Sequence, residues 1–218
     1  MRLPDDSHRL TILGATGSGK TVAGIWHLSK RNYRRMPWII MDFKRDKLIN
    51  RLPYTEIGPP YKLPKKPGLY VVRPHMTEDE AMEDLLWRIR YAGNVGLYVD
   101  EGYMLPFDGK SDAFNAILTQ GRSLNIPTIV LSQRPVWLSR FVLTEASFLQ
   151  VFWLNDVRDR KTLTGIMPKE VLDRLPRFNS WYYDVSGDEM VALAPVPNED
   201  QIVASFVGHK EKSRFSFF

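Results

Sequence analysis

The 218-residue chain contains no cysteine. That absence excludes disulfides, thiolate zinc sites, iron–sulfur clusters and a cysteine nucleophile together. No apolar run approaches the roughly 18 residues a membrane-spanning helix needs, so no integral membrane segment is predicted. The opening MRLPDDSHRL carries two acids where a secretory leader has basic residues, and no apolar stretch follows it, so no signal peptide is predicted. Low-complexity tracts and internal repeats are missing too. The four histidines, His8, His27, His75 and His209, are scattered without ligand spacing, which argues against a metal held by protein side chains alone.

What remains is 44% hydrophobic, enough for a full core, with a net charge of +5. The length suits one large domain with at most a small appendage. We expect a single domain over 1–207 and a basic, phenylalanine-ending tail over 208–218. The charge permits an anionic partner without requiring one.

Short apolar runs alternate with helical stretches. Strands are predicted at Arg9–Leu13, Pro37–Asp42, Gly68–Val72, Asn94–Asp100, Pro127–Ser132 and Phe148–Leu154. Helices are predicted from the residues after GATGSGKT to about Tyr33, over Thr77–Ala92 with Thr77 and Glu80 as a capping box, over Ser111–Leu124 and over Val157–Thr164. Continuously apolar strands separated by helices indicate a parallel sheet covered on both faces. Gly187 between WYYDV and MVALAPV predicts a closing β hairpin near the C-terminus. The stretch Gly58–Gly68, rich in proline and lysine, reads as a loop.

Gly14-Ala15-Thr16-Gly17-Ser18-Gly19-Lys20-Thr21 matches the phosphate-loop pattern, with a strand before it and a helix after it. Backbone N–H groups there can close around phosphate oxygens, and the helix N-terminus adds positive character. Lys20 is placed to reach the β and γ phosphates, and the Thr21 hydroxyl to join a magnesium shell. The strand ending in Asp100-Glu101 supplies the second half of a nucleotide site. Asp100 would hold Mg2+, and Glu101 would activate the attacking water as general base. No Asn-Lys-x-Asp segment specifies guanine, and a water-activating acid beside the magnesium acid argues for hydrolysis over phosphoryl transfer to a small molecule. ATP and Mg2+ are therefore the expected substrate and cofactor.

Gly121-Arg122 before Thr128–Leu131, followed by Ser132-Gln133-Arg134-Pro135, resembles the FtsK–HerA superfamily of DNA-pumping ATPases. Met41-Asp42-Phe43-Lys44 resembles that family's Asp-Pro-Lys segment, with Phe43 in place of proline. The likeness spans about Leu10 to Leu163. It implies a RecA-like P-loop NTPase fold with an extra strand between the two nucleotide motifs, a homo-oligomeric ring, and double-stranded DNA as substrate. The short chain is most similar to viral genome-packaging ATPases, which implies the host cytoplasm or the virion as its place of action. Gln133 would then sense the γ phosphate, or else merely cap its strand. Arg122 would reach a neighbour's γ phosphate, or else serve as a helix-end cation. Arg158 and Arg160 are alternatives for the role in trans, and Arg134 is ambiguous between the sensing and trans roles. Asp42 and Lys44 would shape the site. Lys62, Lys65, Lys66 and Lys110, in two loops, are candidate DNA contacts. Lys30, Arg31, Arg34 and Arg35 read as complements to a helix dipole. Two other readings stay open. One is a conjugation or filament-export ATPase docked on a membrane or portal-like ring. The other is a nucleotide-gated binding module with negligible turnover.

Overall fold

The computed structural model describes residues 2–75, 77–105 and 111–212, with only the backbone described for 207–212. Nine strands form one sheet: β1 (Arg9–Leu13), β2 (Pro37–Asp42), β3 (Thr55–Glu56), β4 (Gly68–Val72), β5 (Gly96–Asp100), β6 (Thr128–Ser132), β7 (Phe148–Val151), β8 (Ser180–Asp184) and β9 (Glu189–Leu193). Their order across the sheet is β3-β4-β2-β5-β6-β1-β7-β8-β9. The pairings from β3 to β7 are all parallel, while β8 and β9 add an antiparallel hairpin at one side. Strand β6 lies between β1 and β5, which is the extra strand expected between the two nucleotide motifs.

The central strands β5 and β6 are buried at every position, as continuous apolar runs require. Alternate residues serve opposite faces. Ile39, Met41, Leu97, Val99 and Val130 join one core with helices α2 (Asp79–Ala92), α3 (Asp112–Gln120) and α4 (Arg140–Thr144). Trp38, Ile40, Tyr98, Ile129 and Leu131 join a second core with α1 (Lys20–Ser29) and α6 (Glu199–Lys212). The remaining helix, α5 (Val157–Leu163), follows β7.

Several boundaries differ from the sequence-based expectation. Helix α1 stops at Ser29, four residues before Tyr33, and β5 starts at Gly96. The capping box at Thr77 is not made. Glu78 occupies the cap position, but its carboxylate accepts from the His75 N–H and the Tyr61 hydroxyl, both at 2.6 Å, so it anchors the preceding loop. Strand β3 and helices α4 and α6 were not anticipated. Helix α6 runs through Gly208 without a break and docks on α1 through Ile202 and Phe206, the latter stacked on Tyr33 at 5.7 Å. It begins with a reciprocal cap: Asn198 Oδ1 accepts from the Gln201 N–H at 2.9 Å, and Gln201 Oε1 from the Asn198 N–H at 3.3 Å. The phenylalanines of the tail lie outside the described residues.

Candidate active site

Parallel strands deliver their following loops to one edge of the sheet. At that edge stand the phosphate loop after β1, Asp42 and Lys44 after β2, Asp100 and Glu101 after β5, and Gln133 after β6. Register fixes their heights: Asp42 pairs with Asp100 across β2 and β5, and Leu13 with Ser132 across β1 and β6.

The phosphate loop is anchored by its backbone, with the Gly14 N–H donating to Ser132 O at 3.2 Å and the Ala15 N–H to Trp153 O at 3.1 Å. A side chain at Gly14 would place its Cβ 2.5 Å from Ser18 Oγ and 2.8 Å from Phe152 Cβ, so only glycine fits. Gly19 has φ 99°, in the left-handed region that favours glycine, and caps α1 without any side-chain hydrogen bond. The first-turn N–H groups of α1 are thus left for an anion.

Glu101 is fully buried. Its Oε1 lies 3.0 Å from Lys20 Nζ, accepts from Gln133 Nε2 at 2.7 Å and is also paired with Lys44. Its Oε2 accepts from the Gln133 N–H at 3.1 Å. The hydroxyl of Thr16 donates to Gln133 Oε1, closing the network onto the phosphate loop. Burial alone would raise the Glu101 pKa, but the Lys20 charge, with hydrogen bonds from Lys44 and Gln133, brings it below the ordinary value. The Glu101 backbone has φ 76°, a left-handed value uncommon outside glycine.

Asp100 behaves in the opposite way. Burial, reinforced by the Glu101 charge, pushes its pKa up to about 7. Its Oδ1 is buried without a hydrogen-bond partner among the described residues, and so is Ser18 Oγ. An unpartnered buried carboxylate oxygen beside a hydroxyl-bearing phosphate loop is a hard, all-oxygen donor set that fits Mg2+. Asp42, fully buried, accepts from Arg73 Nε at 3.0 Å and from the Asp46 N–H at 2.9 Å. Arg73 also donates to Glu56 at 2.8 Å and to Tyr54 at 3.0 Å, tying the β2 end to the neighbouring loop.

Arg122 is exposed and lies between α3 and β6, at the edge where strands begin. It is close enough to lower the pKa of Arg9, at the start of β1, after burial and the opposing Glu145 charge. Lys62, Lys65 and Lys66 are exposed in the loop before β4, and Lys110 lies outside the described residues. Arg158 is exposed at the start of α5. Arg160 donates to the carbonyls of Leu154 and Asn155 at 2.7 and 2.8 Å and stacks on Trp153. Arg134 is engaged within the chain, donating to Asp159 at 2.7 Å and covering the Trp137 ring at 4.3 Å. Sequence reading did not single out Arg73, Phe152 or Phe178 around the site. Isolated arginines and aromatics outside any motif give no signal of their own.

No protein-family model matches the chain. It is 44% identical over 224 residues to the DNA packaging ATPase P9 of Enterobacteria phage PRD1, covering 97% of this chain and 98% of that protein. Its fold matches the genome packaging NTPase B204 of Sulfolobus turreted icosahedral virus 2, solved in complex with ATP-gammaS, with a TM-score of 0.71 at 16% identity over 88% of this chain and 99% of that one. It also matches the pCW3 conjugation coupling protein TcpA with a TM-score of 0.63 at 13% identity, over 94% of this chain and 65% of that one.

The raised pKa of Asp100 has a stability consequence. Between pH 4 and 7 the folded protein holds a proton there that the unfolded chain has released, so stability falls as pH rises through that window. In nucleotide-free protein with EDTA, Asp100→Asn should therefore be more stable than wild type at pH 8 by about 2 kcal/mol, or roughly 4–8 °C in Tm. The gap should shrink towards pH 5. Thermal scans at the two pH values check this, and a variant melting at or below wild type at pH 8 contradicts it.

Proposed function

The chain belongs to the family of phage DNA-packaging ATPases, and on that premise we propose that it is an Mg2+-dependent ATPase working as a homo-oligomeric ring to drive double-stranded DNA into a capsid. The observation that carries this reading is the buried Glu101 carboxylate held against Lys20 and Gln133 over an anion-ready phosphate loop. Its place of action would be the host cytoplasm, docked on a portal-like ring or associated with the virion.

Lys20 cannot serve both Glu101 and a triphosphate. When ATP occupies the loop, Nζ turns to the β and γ phosphates, and Glu101 loses the charge that does most to hold its pKa down. Its basicity rises when a water stands before the γ phosphate, so it takes that water's proton as general base. The Gln133 amide, tied to both Glu101 and Thr16, orients the same water. Thr21 and Asp100 would hold Mg2+, which supplies charge neutralisation for the phosphate oxygens.

Arg122 cannot reach the site of its own chain. The edges of a five-residue strand lie about 13 Å apart, farther than an arginine side chain spans. Its place is the γ phosphate bound to the neighbouring copy. For DNA, the exposed Lys62, Lys65 and Lys66, with Lys110, would grip phosphates without reading bases, since a base-specific hold would stall a pump.

Three outcomes are expected. Glu101→Gln should bind ATP and lose roughly 10²–10⁴-fold in turnover; wild-type phosphate release by that variant removes Glu101 from the mechanism. Arg122→Ala should bind ATP and hydrolyse it poorly, and mixing it with Lys20→Ala protein should restore turnover above that of either alone. A mixture that never exceeds its components speaks against a shared site. Finally, duplex DNA should stimulate hydrolysis with a salt slope of about −0.9 per phosphate contacted. Replacing Lys62, Lys65 and Lys66 by alanine should blunt the stimulation and spare basal turnover. A wild-type rate flat against DNA concentration would count against a DNA motor.

A further inference from the structure

Helix α1 ends at Ser29, and the chain enters β2 at Pro37 through a turn in which the Arg35 N–H donates to Asn32 O at 2.9 Å. Arg34 and Arg35 sit on that turn, five and six residues past the helix. A helix dipole acts only within the last turn, so these two charges do not complement it. Arg31, nearer the helix, is buried and donates to the Asp5 carbonyl. Arg34 and Arg35 are exposed and, unlike Arg51 and Arg73, form no ion pair among the described residues. Lys30 is exposed as well, its ammonium 5.7 Å from the Trp26 ring centroid. The nearby acids are engaged: Asp6 accepts from the Asn32 N–H at 3.0 Å, and Asp5 pairs with His8 at 2.6 Å. This cationic corner lies on the α1 and α6 face of the sheet, whereas Arg122 follows α3 on the other face.

Helix α6 leads the chain to the same corner. It starts where Asn198 and Gly19 border one cavity, and its Phe206 stacks on Tyr33, the residue before Arg34. It therefore runs beside α1 in the same direction, from the phosphate-loop edge towards the edge where strands begin. Six further helical residues, to Lys212, carry the backbone about 9 Å past that stack. From there the sequence holds Lys210, Lys212 and Arg214 against Glu211 alone, and three phenylalanines, Phe215, Phe217 and Phe218, within four residues. The six residues after Lys212 span at most about 20 Å when extended.

Two kinds of group thus converge on one corner from chain segments far apart in sequence. The phosphates of a nucleic acid are gripped by cations and have no use for clustered phenylalanines. A bilayer with anionic lipids offers partners for both, a negative surface for the cations and an apolar layer beneath it for the rings. No described helix is long and apolar enough to cross a membrane, so such an attachment is peripheral.

We propose that this corner is a membrane-docking face, in which Lys30, Arg34 and Arg35 meet anionic lipid headgroups and Phe215, Phe217 and Phe218 enter the apolar layer. Neither half suffices alone, since a few surface cations or a few rings give only marginal, reversible binding. The face is independent of the nucleotide chemistry.

Flotation of the full chain tests it, with vesicles of phosphatidylcholine alone and of phosphatidylcholine mixed with phosphatidylglycerol. Wild type should float only with the mixed vesicles, and less at high salt, where charge attraction is screened. Arg34→Gln with Arg35→Gln should lower the partition by about 10- to 30-fold. Arg34→Lys with Arg35→Lys should keep it, because the headgroups respond to charge and not to guanidinium geometry. Serine in place of the three phenylalanines should lower it at least about 10-fold, the equivalent of burying one ring. Thermal midpoints and ATP turnover without vesicles should match wild type in every variant, so loss of flotation is not loss of fold. Lys65 and Lys66, read above as DNA contacts, reach the same edge because Pro37 pairs with Gly68. The glutamine pair is therefore also assayed for stimulation of turnover by duplex DNA. Lost stimulation with flotation intact gives the arginines to DNA and overturns the membrane face. Wild type that hydrolyses ATP but does not float, or that floats equally with both vesicles, overturns it too and leaves the ATPase reading standing.

Discussion

Complete burial of a carboxylate is unfavourable unless donors meet it on several sides. Glu101 is met by Lys20, by Lys44, and by both the side chain and backbone of Gln133. Those donors come from loops after β1, β2 and β6, while the carboxylate follows β5. With these four strands parallel and ordered β2-β5-β6-β1, the sheet sends all four loops to one edge at matching heights. The topology and the chemistry are therefore two aspects of one requirement. A strand inserted, removed or reversed among these four would leave Glu101 buried and underpaired.

The same parallel arrangement gives the sheet a direction. One edge carries the buried acids and the phosphate loop, and the other carries Arg122 beside Arg9. A head-to-tail ring would exploit such polarity, because one edge of each copy could face the opposite edge of the next. Isologous pairing would bring like edges together and leave Arg122 facing Arg122.

The parts of the site legible in the sequence were those encoded locally. The phosphate loop, the acid pair after an apolar strand, and Gln133 after Thr128–Ser132 each sit within a few residues of the element that aims them. Their meeting on one carboxylate depends on strand order, which only the family resemblance supplied. Other features were misread because a competing contact won. Thr77 and Glu80 have the spacing of a capping box, yet Glu78 cements the loop to Tyr61 and the helix starts two residues later. Helix α6 offered its own signal in Asn198-x-x-Gln201, but its apolar residues are few and become meaningful only against Tyr33 and α1. Phe178 had no signal at all, since its left-handed backbone and its approach to Gly19, some 160 residues earlier, show only in the folded chain.

The two outermost strands bear on solubility at high local concentration. A nine-stranded sheet with bare sides invites other chains to add strands. On one side β3 is only two residues long, with Pro53 before it and Pro59-Pro60 shortly after it. On the other side β9 runs into Ala194-Pro195-Val196-Pro197, where missing backbone donors stop any continued ladder. Copies at high local concentration are thereby steered away from β-type aggregation, and contacts between them are left to side chains and helices.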